Sequence, residues 1–169
     1  MDATELRAIQ APLKERYRAE PQAALVTLCA EGALDAEKFS CSVATGRALV
    51  EAGLHPATGG SGMLACSGDL LLEALVACAG VTMTSVATAL GIEVKGDIRA
   101  EGDLDFRGTL GLAKEEQVPV GFRMIRLRFD VEHDADEEQF AKLMELTERY
   151  CVVFQTLSGG VPVEVTSSR

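Results

Sequence analysis

The side chains of this chain with the widest chemical repertoire are its cysteines. There are five of them: Cys29, Cys41, Cys66, Cys78 and Cys151. A cysteine acts as a nucleophile in its thiolate form, so its reactivity depends on what lowers the pKa of the thiol. Cys78 and Cys151 fall on segments with helical periodicity, and these two residues are the candidates for chemistry.

Cys78 lies within the uncharged segment Ala74–Ile92, among small and apolar neighbours that leave a sulfur accessible. The positive end of its own predicted helix is about two turns away, too far to lower the pKa of the thiol much. A reactive Cys78 would therefore need a nearby cation, oriented in turn by a carboxylate. The alternative is an inert buried thiol, since free cysteine is among the most buried residue types.

Cys151 lies on the apolar stripe of a later predicted helix. That stripe comprises Phe140, Leu143, Met144, Thr147, Tyr150, Cys151, Phe154 and Leu157. For Cys151, as for Cys78, the alternative is an inert buried thiol that only packs in the core. Two cysteines on the core faces of separate helices can nevertheless form a disulfide if their Cα atoms come within about 7 Å.

The remaining candidates for chemistry are weaker. Cys29 and Cys41 fall on neighbouring predicted strands and are expected to be structural. Cys66 directly precedes the long helix and is a possible third redox partner. His55 and His133 lie in or beside loops, and neither is expected to act. With no C-x-x-C and no H-E-x-x-H, we expect no metal site.

Composition and charge exclude several function classes. The 169 residues are 47% hydrophobic and 25% charged, as in a soluble globular domain. A net charge of -10 repels phosphate backbones and anionic lipid, so neither nucleic acid nor a membrane is an expected partner. Met1–Glu20 is too charged for a secretory signal, and the cysteines then favour the reducing cytoplasm, where a disulfide is transient.

The first half of the chain predicts a helix followed by three strands. Helical spacing of apolar residues indicates an amphipathic helix bent near Pro12 and ended by Pro21. A strand at Ala23–Ala30, a turn at Glu31–Asp35 and strands at Phe39–Thr45 and Ala48–Leu54 follow, and then a loop at His55–Gly62. This order is typical of a meander.

The second half predicts two helices and three strands. A long helix begins at Ser67 or Asp69 and is stopped by Gly91. Strict alternation then predicts one-sided strands at Asp97–Phe106 and Phe122–Glu132, whose outer faces carry opposite charge excess. A helix capped by Asp134 or Asp136 follows, runs to Ser158–Gly160, and precedes a last strand at Val161–Thr166.

These elements predict an α+β domain with helices on one face of an antiparallel sheet. The long helix is apolar almost all round, and a single sheet can cover only one side of it. A homodimer formed through this helix is the resulting hypothesis.

Two blocks of sequence resemble a known family. Asp69–Cys78 reads DLLLEALVAC, and Glu148–Val153 reads ERYCVV, followed by Thr156-Leu157. Both blocks, in this order around two amphipathic strands, resemble the OsmC/Ohr superfamily of osmotically induced and organic-hydroperoxide-resistance proteins. The resemblance makes residues 22–169 an OsmC-like domain and residues 1–21 an N-terminal amphipathic helix extension.

The resemblance implies an entwined homodimer in which antiparallel sheets wrap over long central helices. It implies that Cys78 is the peroxidatic cysteine and Cys151 the resolving cysteine of a thiol peroxidase active against oxidative stress. The substrate would be an organic hydroperoxide, a dithiol such as lipoamide would reduce the resulting disulfide, and no cofactor or metal would be needed.

Relatives hold the thiolate with an arginine and a carboxylate. The carboxylate maps to Asp69. The arginine of the best-known reductases lies in the first hairpin, which here offers only Lys38, so Arg47 in the next hairpin is the nearest substitute, with Arg16 and Arg18 as others.

Two other functions stay open beside the peroxidase. One is a dimer that binds a hydrophobic small molecule or senses redox state without turnover. The other is acyl transfer or hydrolysis with Cys78 as nucleophile, although neither histidine has an obvious route to it.

Overall fold

The structure is a computed structural model that describes most of the chain. The described residues are 2–20, 31–35, 40–44, 49–111 and 118–167. The predicted strand Ala23–Ala30 and the predicted site residue Arg47 lie outside them.

The predicted N-terminal helix is confirmed as α1, Ala3–Ala19, which contains Pro12. The carboxylate of Asp2 accepts hydrogen bonds from the N–H groups of Thr4 (2.7 Å) and Glu5 (2.9 Å), while the Glu5 carboxylate accepts one from the Asp2 N–H. This reciprocal arrangement satisfies donors that the first turn of a helix leaves without partners.

Four strands form the first sheet. They are β1 (Glu31–Asp35), β2 (Ser40–Ala44), β3 (Leu49–Gly53) and the short β4 (Ala65–Cys66), in that spatial order. The first three pair antiparallel, and β4 pairs parallel to β3. The strands predicted at Phe39–Thr45 and Ala48–Leu54 are therefore confirmed as β2 and β3, while the predicted first strand of the meander, Ala23–Ala30, lies outside the described residues.

The turn predicted at Glu31–Asp35 is wrong, because this segment is β1. Its residues pair one for one with β2, with Ala33 opposite Ser42. The glycine and the acidic ends of EGALD favour a turn locally, but cross-strand pairing outweighs such a weak preference.

The long helix is confirmed as α2, Ser67–Leu90. It ends where predicted, because Gly91 adopts a left-handed φ of 75° that glycine reaches without steric cost. By length and composition α2 resembles a membrane span, as core helices of soluble proteins also do, and 22% of its apolar window is buried.

The second sheet contains two strands, β5 (Val94–Asp103) and β6 (Met124–His133). Half-buried and exposed residues alternate along both strands, as predicted, although β5 starts earlier than expected and Phe106 begins the short helix α3, Phe106–Thr109. The predicted cross-strand charge pairing is confirmed, since Arg126 donates two 2.6 Å hydrogen bonds to the carboxylate of Asp103.

The single helix predicted after Asp136 is two helices, α4 (Glu137–Tyr150) and α5 (Val152–Gly159). Asp136 caps α4 with a reciprocal pair of hydrogen bonds to Gln139, of 2.8 and 3.0 Å. Cys151 lies between the helices with an extended backbone, ψ 106°. The sequence stripe is continuous across this position, which is why periodicity alone did not reveal the interruption.

The strand predicted at Val161–Thr166 is also wrong for this chain. Residues 161–167 have no regular structure, and Val161, Val163 and Val165 are 59%, 84% and 90% exposed. A strand needs a hydrogen-bonded neighbour, and the described residues supply none to this segment.

The described chain divides into two compact units. One contains residues 1–9, 74–99 and 128–169, and the other residues 10–73 and 100–127. The core of the first unit is formed by Met83, Ala87, Ile92 and Leu143. The α+β class is as predicted, with a long helix and two small sheets.

Candidate functional site

Cys78 lies about three turns after the start of α2, beside the buried stripe of that helix. The stripe consists of Leu75, Ala79, Met83 and Ala87. Cys78 itself is half-buried, so its sulfur is neither sealed in the core nor fully in solvent. The Thr82 hydroxyl donates to the Cys78 carbonyl over 2.8 Å and is one of the groups that lower the pKa of Cys78.

Cys151 occupies the junction of α4 and α5 and is 1% exposed. Its N–H closes the last turn of α4 by donating to the carbonyl of Thr147 (3.0 Å), and its carbonyl accepts from Gln155 at the start of α5 (2.9 Å). Thr147 is 1% exposed, and its hydroxyl has no hydrogen-bond partner within the described part of the chain.

The thiols of Cys78 and Cys151 act on each other's pKa, which places the two side chains close together. The two residues are free cysteines, as is Cys66. Both of the paired thiols belong to the same compact unit. One can therefore act directly on the other without a large movement of the chain.

The two thiols are electrostatically unequal. Burial raises the pKa of Cys78, but the N–H groups of Val153 and Val152 and the Cys151 thiol outweigh it, and the net pKa is lowered. Burial also raises the pKa of Cys151, and an adjacent Cys78 thiolate raises it further, so its net pKa is elevated. Cys78 is therefore the thiol that ionises first.

The N–H groups that act on Cys78 belong to the first turn of α5. The first N–H groups of a helix have no intrahelical acceptor, and the helix dipole gives that end a partial positive charge. The end of a second helix therefore supplies the stabilisation that the N-terminus of α2 is too distant to give. Sequence analysis missed Val152 and Val153 because the stripe predicted one uninterrupted helix. The only local signal is that they are consecutive β-branched residues, which disfavour helix interiors.

No guanidinium is among the groups acting on the pKa of Cys78 in the described residues. Arg47 and Lys38 lie outside those residues, and the side chains of Arg16 and Arg18 are likewise not described. Asp69 is exposed in the first turn of α2. At nine positions before Cys78, it is displaced by about 13 Å along the helix and by about half a turn around it.

The other candidate residues have structural contacts of their own. His55 stacks on Phe106, with ring centroids 4.7 Å apart, and its Nδ1 accepts a hydrogen bond from the Ala57 N–H. His133 stacks on Phe140 at 4.1 Å. Cys66 is half-buried in β4. Within the described ranges no cluster of histidine, cysteine and acidic side chains could hold a metal ion.

Several solved structures resemble this chain in fold, including these three. An OsmC-like protein from Mycoplasma pneumoniae matches with a TM-score of 0.63 and 18% identity, over 80% of this chain and 89% of that one. An organic hydroperoxide resistance protein OsmC from Legionella pneumophila matches with a TM-score of 0.59 and 17% identity, over 80% and 92%. The organic hydroperoxide resistance protein OhrB of Bacillus subtilis matches with a TM-score of 0.53 and 20% identity, over 81% and 94%.

The TM-scores show a common fold, and identities this low do not establish a common activity. No curated protein matches this chain in sequence. The sequence model of one family, described as OsmC-like protein, matches residues 60–166, a range that includes both Cys78 and Cys151. Because that match spans more than half of the chain, the chain belongs to the OsmC-like protein family.

Proposed function

We propose that this protein is a thiol peroxidase that reduces organic hydroperoxides through a Cys78–Cys151 disulfide cycle in the cytoplasm. The observation that supports it most is the contact between the two thiols, one with a lowered and one with a raised pKa. A peroxidase needs this inequality, because its first thiol attacks as a thiolate while the second waits as a thiol.

The proposed cycle has three balanced steps. The Cys78 thiolate attacks one peroxide oxygen, the O–O bond breaks, and the sulfur becomes a sulfenic acid while an alkoxide leaves and takes up a proton as the alcohol. The Cys151 thiol then condenses with the sulfenic acid, forming the disulfide and releasing water. An external dithiol reduces this disulfide by two exchange steps and is itself oxidised.

The surroundings of Cys78 favour an organic hydroperoxide over hydrogen peroxide. Its neighbours along the buried stripe are Leu75 and Ala79, and the groups that stabilise its thiolate are backbone N–H groups rather than a hydrated charged side chain. An apolar substituent on the peroxide gains by leaving water at such a site. Two of the structural relatives are themselves named organic hydroperoxide resistance proteins.

We also propose that the protein is an entwined homodimer. Val81 on α2 is 70% exposed, and the C-terminal residues Val163 and Val165 are exposed to a still greater extent. Exposed apolar side chains on a helix, together with exposed valines in a segment without regular structure, are typical of a chain that buries these residues against another copy. A monomeric mass by light scattering at micromolar concentration would contradict this part of the proposal.

Arg47 and Asp69 are proposed to assist Cys78, as the resemblance implies. Their role is testable in the same assay as the cysteines, because losing a cation that stabilises a thiolate slows peroxide consumption most at low pH. If Arg47→Ala and Asp69→Ala leave the rate and its pH dependence unchanged, the backbone N–H groups of α5 suffice.

The decisive experiment is stopped-flow consumption of cumene hydroperoxide with a dithiol reductant. We expect Cys78→Ser to abolish turnover. In the absence of dithiol, Cys151→Ser treated with one equivalent of peroxide should stop at the sulfenic acid, visible as an added oxygen by intact mass. Cys66→Ser is the matched control and should retain the wild-type rate. Turnover that survives in Cys78→Ser would rule out the proposed cycle.

A redox sensor is the second candidate function. One observation favours it: within the described residues, the groups that lower the pKa of Cys78 are all uncharged, so its activation is modest. A sensor would form the same disulfide after one equivalent of peroxide but would not turn over with added dithiol. The stopped-flow experiment distinguishes the two functions by the number of peroxide equivalents consumed.

A further inference from the structure

At the junction of α4 and α5, the N–H of Val152 and the carbonyl of Glu148 are not paired with each other as they would be in a continuous helix. In an uninterrupted α-helix, the N–H of Val152 would donate to the carbonyl of Glu148, four residues earlier. Here α4 ends at Tyr150, and the extended backbone of Cys151 separates these two groups. Each of them must find another partner, because unpaired backbone groups are costly.

The carbonyl of Glu148 finds its partner in a side chain. Gln155 Nε2 donates a 2.9 Å hydrogen bond to this carbonyl, reaching back from the first full turn of α5 to the last turn of α4. The side-chain amide thus replaces the backbone N–H of Val152. That N–H is released, and together with the N–H of Val153 it is among the groups that lower the pKa of Cys78, while the Val153 N–H also acts on Cys151.

We propose that Gln155 is a positioning residue for Cys78. By occupying the Glu148 carbonyl it prevents α4 and α5 from joining into one helix, and so keeps the first N–H groups of α5 directed at the sulfur. It touches no reacting atom and acts only through these backbone groups. The inference deepens the proposed function, because it rests on Cys78 being the attacking thiol.

The contacts of Gln155 differ from those of its neighbours on α5. Thr156 and Ser158 donate to carbonyls of their own helix, those of Val152 and Phe154, at 2.8 Å each. Such hydrogen bonds stay within one helix and do not fix how it meets the preceding one. Among the hydrogen bonds described for α5 side chains, the one from Gln155 spans the junction.

The test compares two substitutions in the whole protein. Gln155→Met keeps the length of the side chain but removes its donor, and Thr156→Val removes an intrahelical hydrogen bond one residue away. The measurement is the rate of iodoacetamide alkylation of Cys78 against pH, followed by peptide mass spectrometry, with Cys78→Ser to assign the labelled peptide.

We expect Gln155→Met to move the midpoint of this profile upward, so that alkylation below the midpoint slows by roughly three- to tenfold. Thr156→Val should keep the wild-type midpoint. If Gln155→Met keeps it too, the inference is wrong. Should Gln155→Met fold poorly, the pH titration of the Val153 amide signal by NMR in the wild type decides, and an amide that does not respond to ionisation of Cys78 overturns the inference.

This test is independent of peroxide chemistry. A wild-type protein that does not consume cumene hydroperoxide, but whose Cys78 midpoint rises in Gln155→Met, would overturn the proposed function and leave the inference standing. Normal peroxide turnover in the wild type, together with an unchanged Cys78 midpoint in Gln155→Met, would overturn the inference and leave the proposed function standing.

Discussion

The C-terminal ends of α2 and α4 differ in how the last carbonyl groups of the helix obtain hydrogen-bond donors. The last carbonyls of α2 are satisfied by the chain that follows, since the N–H of Gly91 donates to Thr88 (3.3 Å) and that of Ile92 to Ala87 (2.9 Å). At the end of α4 no glycine is present, and a side chain, Gln155, takes a terminal carbonyl instead. After α2, the backbone N–H groups donate to carbonyls of α2 itself. After α4, the N–H groups of Val152 and Val153 are available to the Cys78 thiol.

The difference shows what each end can do. We call the end of α2 the closed end, because the N–H groups that follow the helix donate to its own last carbonyls. We call the α4–α5 junction the open end, because the first N–H groups of α5 do not donate to α4. These N–H groups can stabilise an anion and lower the pKa of Cys78. The closed end of α2 stabilises the fold, whereas the open end between α4 and α5 supplies N–H groups that lower the pKa of Cys78.

The largest expected effect concerns the two thiols at the open end. Since the pKa of Cys78 is lowered and that of Cys151 is raised, a fall in pH through the Cys78 midpoint removes the only substantial thiolate of the pair. At pH 7 we expect alkylation of Cys78 to exceed that of Cys151 by at least about tenfold. Equal labelling of both peptides by mass spectrometry would contradict the assigned asymmetry.

The closed end predicts a loss of stability without a change in thiol chemistry. Gly91→Ala places a Cβ where no described atom lies within 4 Å, so the cost arises from the φ of 75° alone. We expect the free energy of unfolding to fall by about 1–2 kcal/mol in urea denaturation. Gly159→Ala is the matched control: its added Cβ also meets no described atom, and its φ is not in the left-handed range. A Gly91→Ala protein as stable as Gly159→Ala would mean that this end is not held by glycine.

A smaller and opposite effect is expected at the open end. Val152→Pro removes one N–H from the first position of α5, where proline is well tolerated, and the extended backbone of Cys151 suits a residue before proline. Stability should change little, while the midpoint of Cys78 alkylation should rise by about half a pH unit. An unchanged midpoint would show that the Val152 N–H does not act on the sulfur.

Much of the fold could be predicted from local patterns. Alternation located β5 and β6, Gly91 located the end of α2, and the start of α4 was predicted at Asp134 or Asp136, of which Asp136 is the cap. The errors fall where local preference is weak: at Glu31–Asp35, which pairing with β2 turns into a strand, and at Val161–Thr166, which has no neighbour to pair with in the described chain.

The candidate site could be predicted only in part. The residue types and the helical stripes singled out Cys78 and Cys151, but they indicated a cation as the activating group, which the family resemblance made an arginine. The backbone N–H groups of Val152 and Val153 could not be found this way, because every residue other than proline has such a group. What distinguishes these two is a break in a helix whose apolar stripe continues without interruption.

By itself the sequence determined most of the elements and pointed to Cys78 and Cys151 on helix faces, because hydrophobic periodicity and glycine or capping residues act over a few neighbouring positions. Only the tertiary structure decided that the two thiols meet and that they differ in acidity. That outcome depends on where the first turn of α5 lies relative to α2, a relationship between residues far apart in the chain that no local pattern encodes.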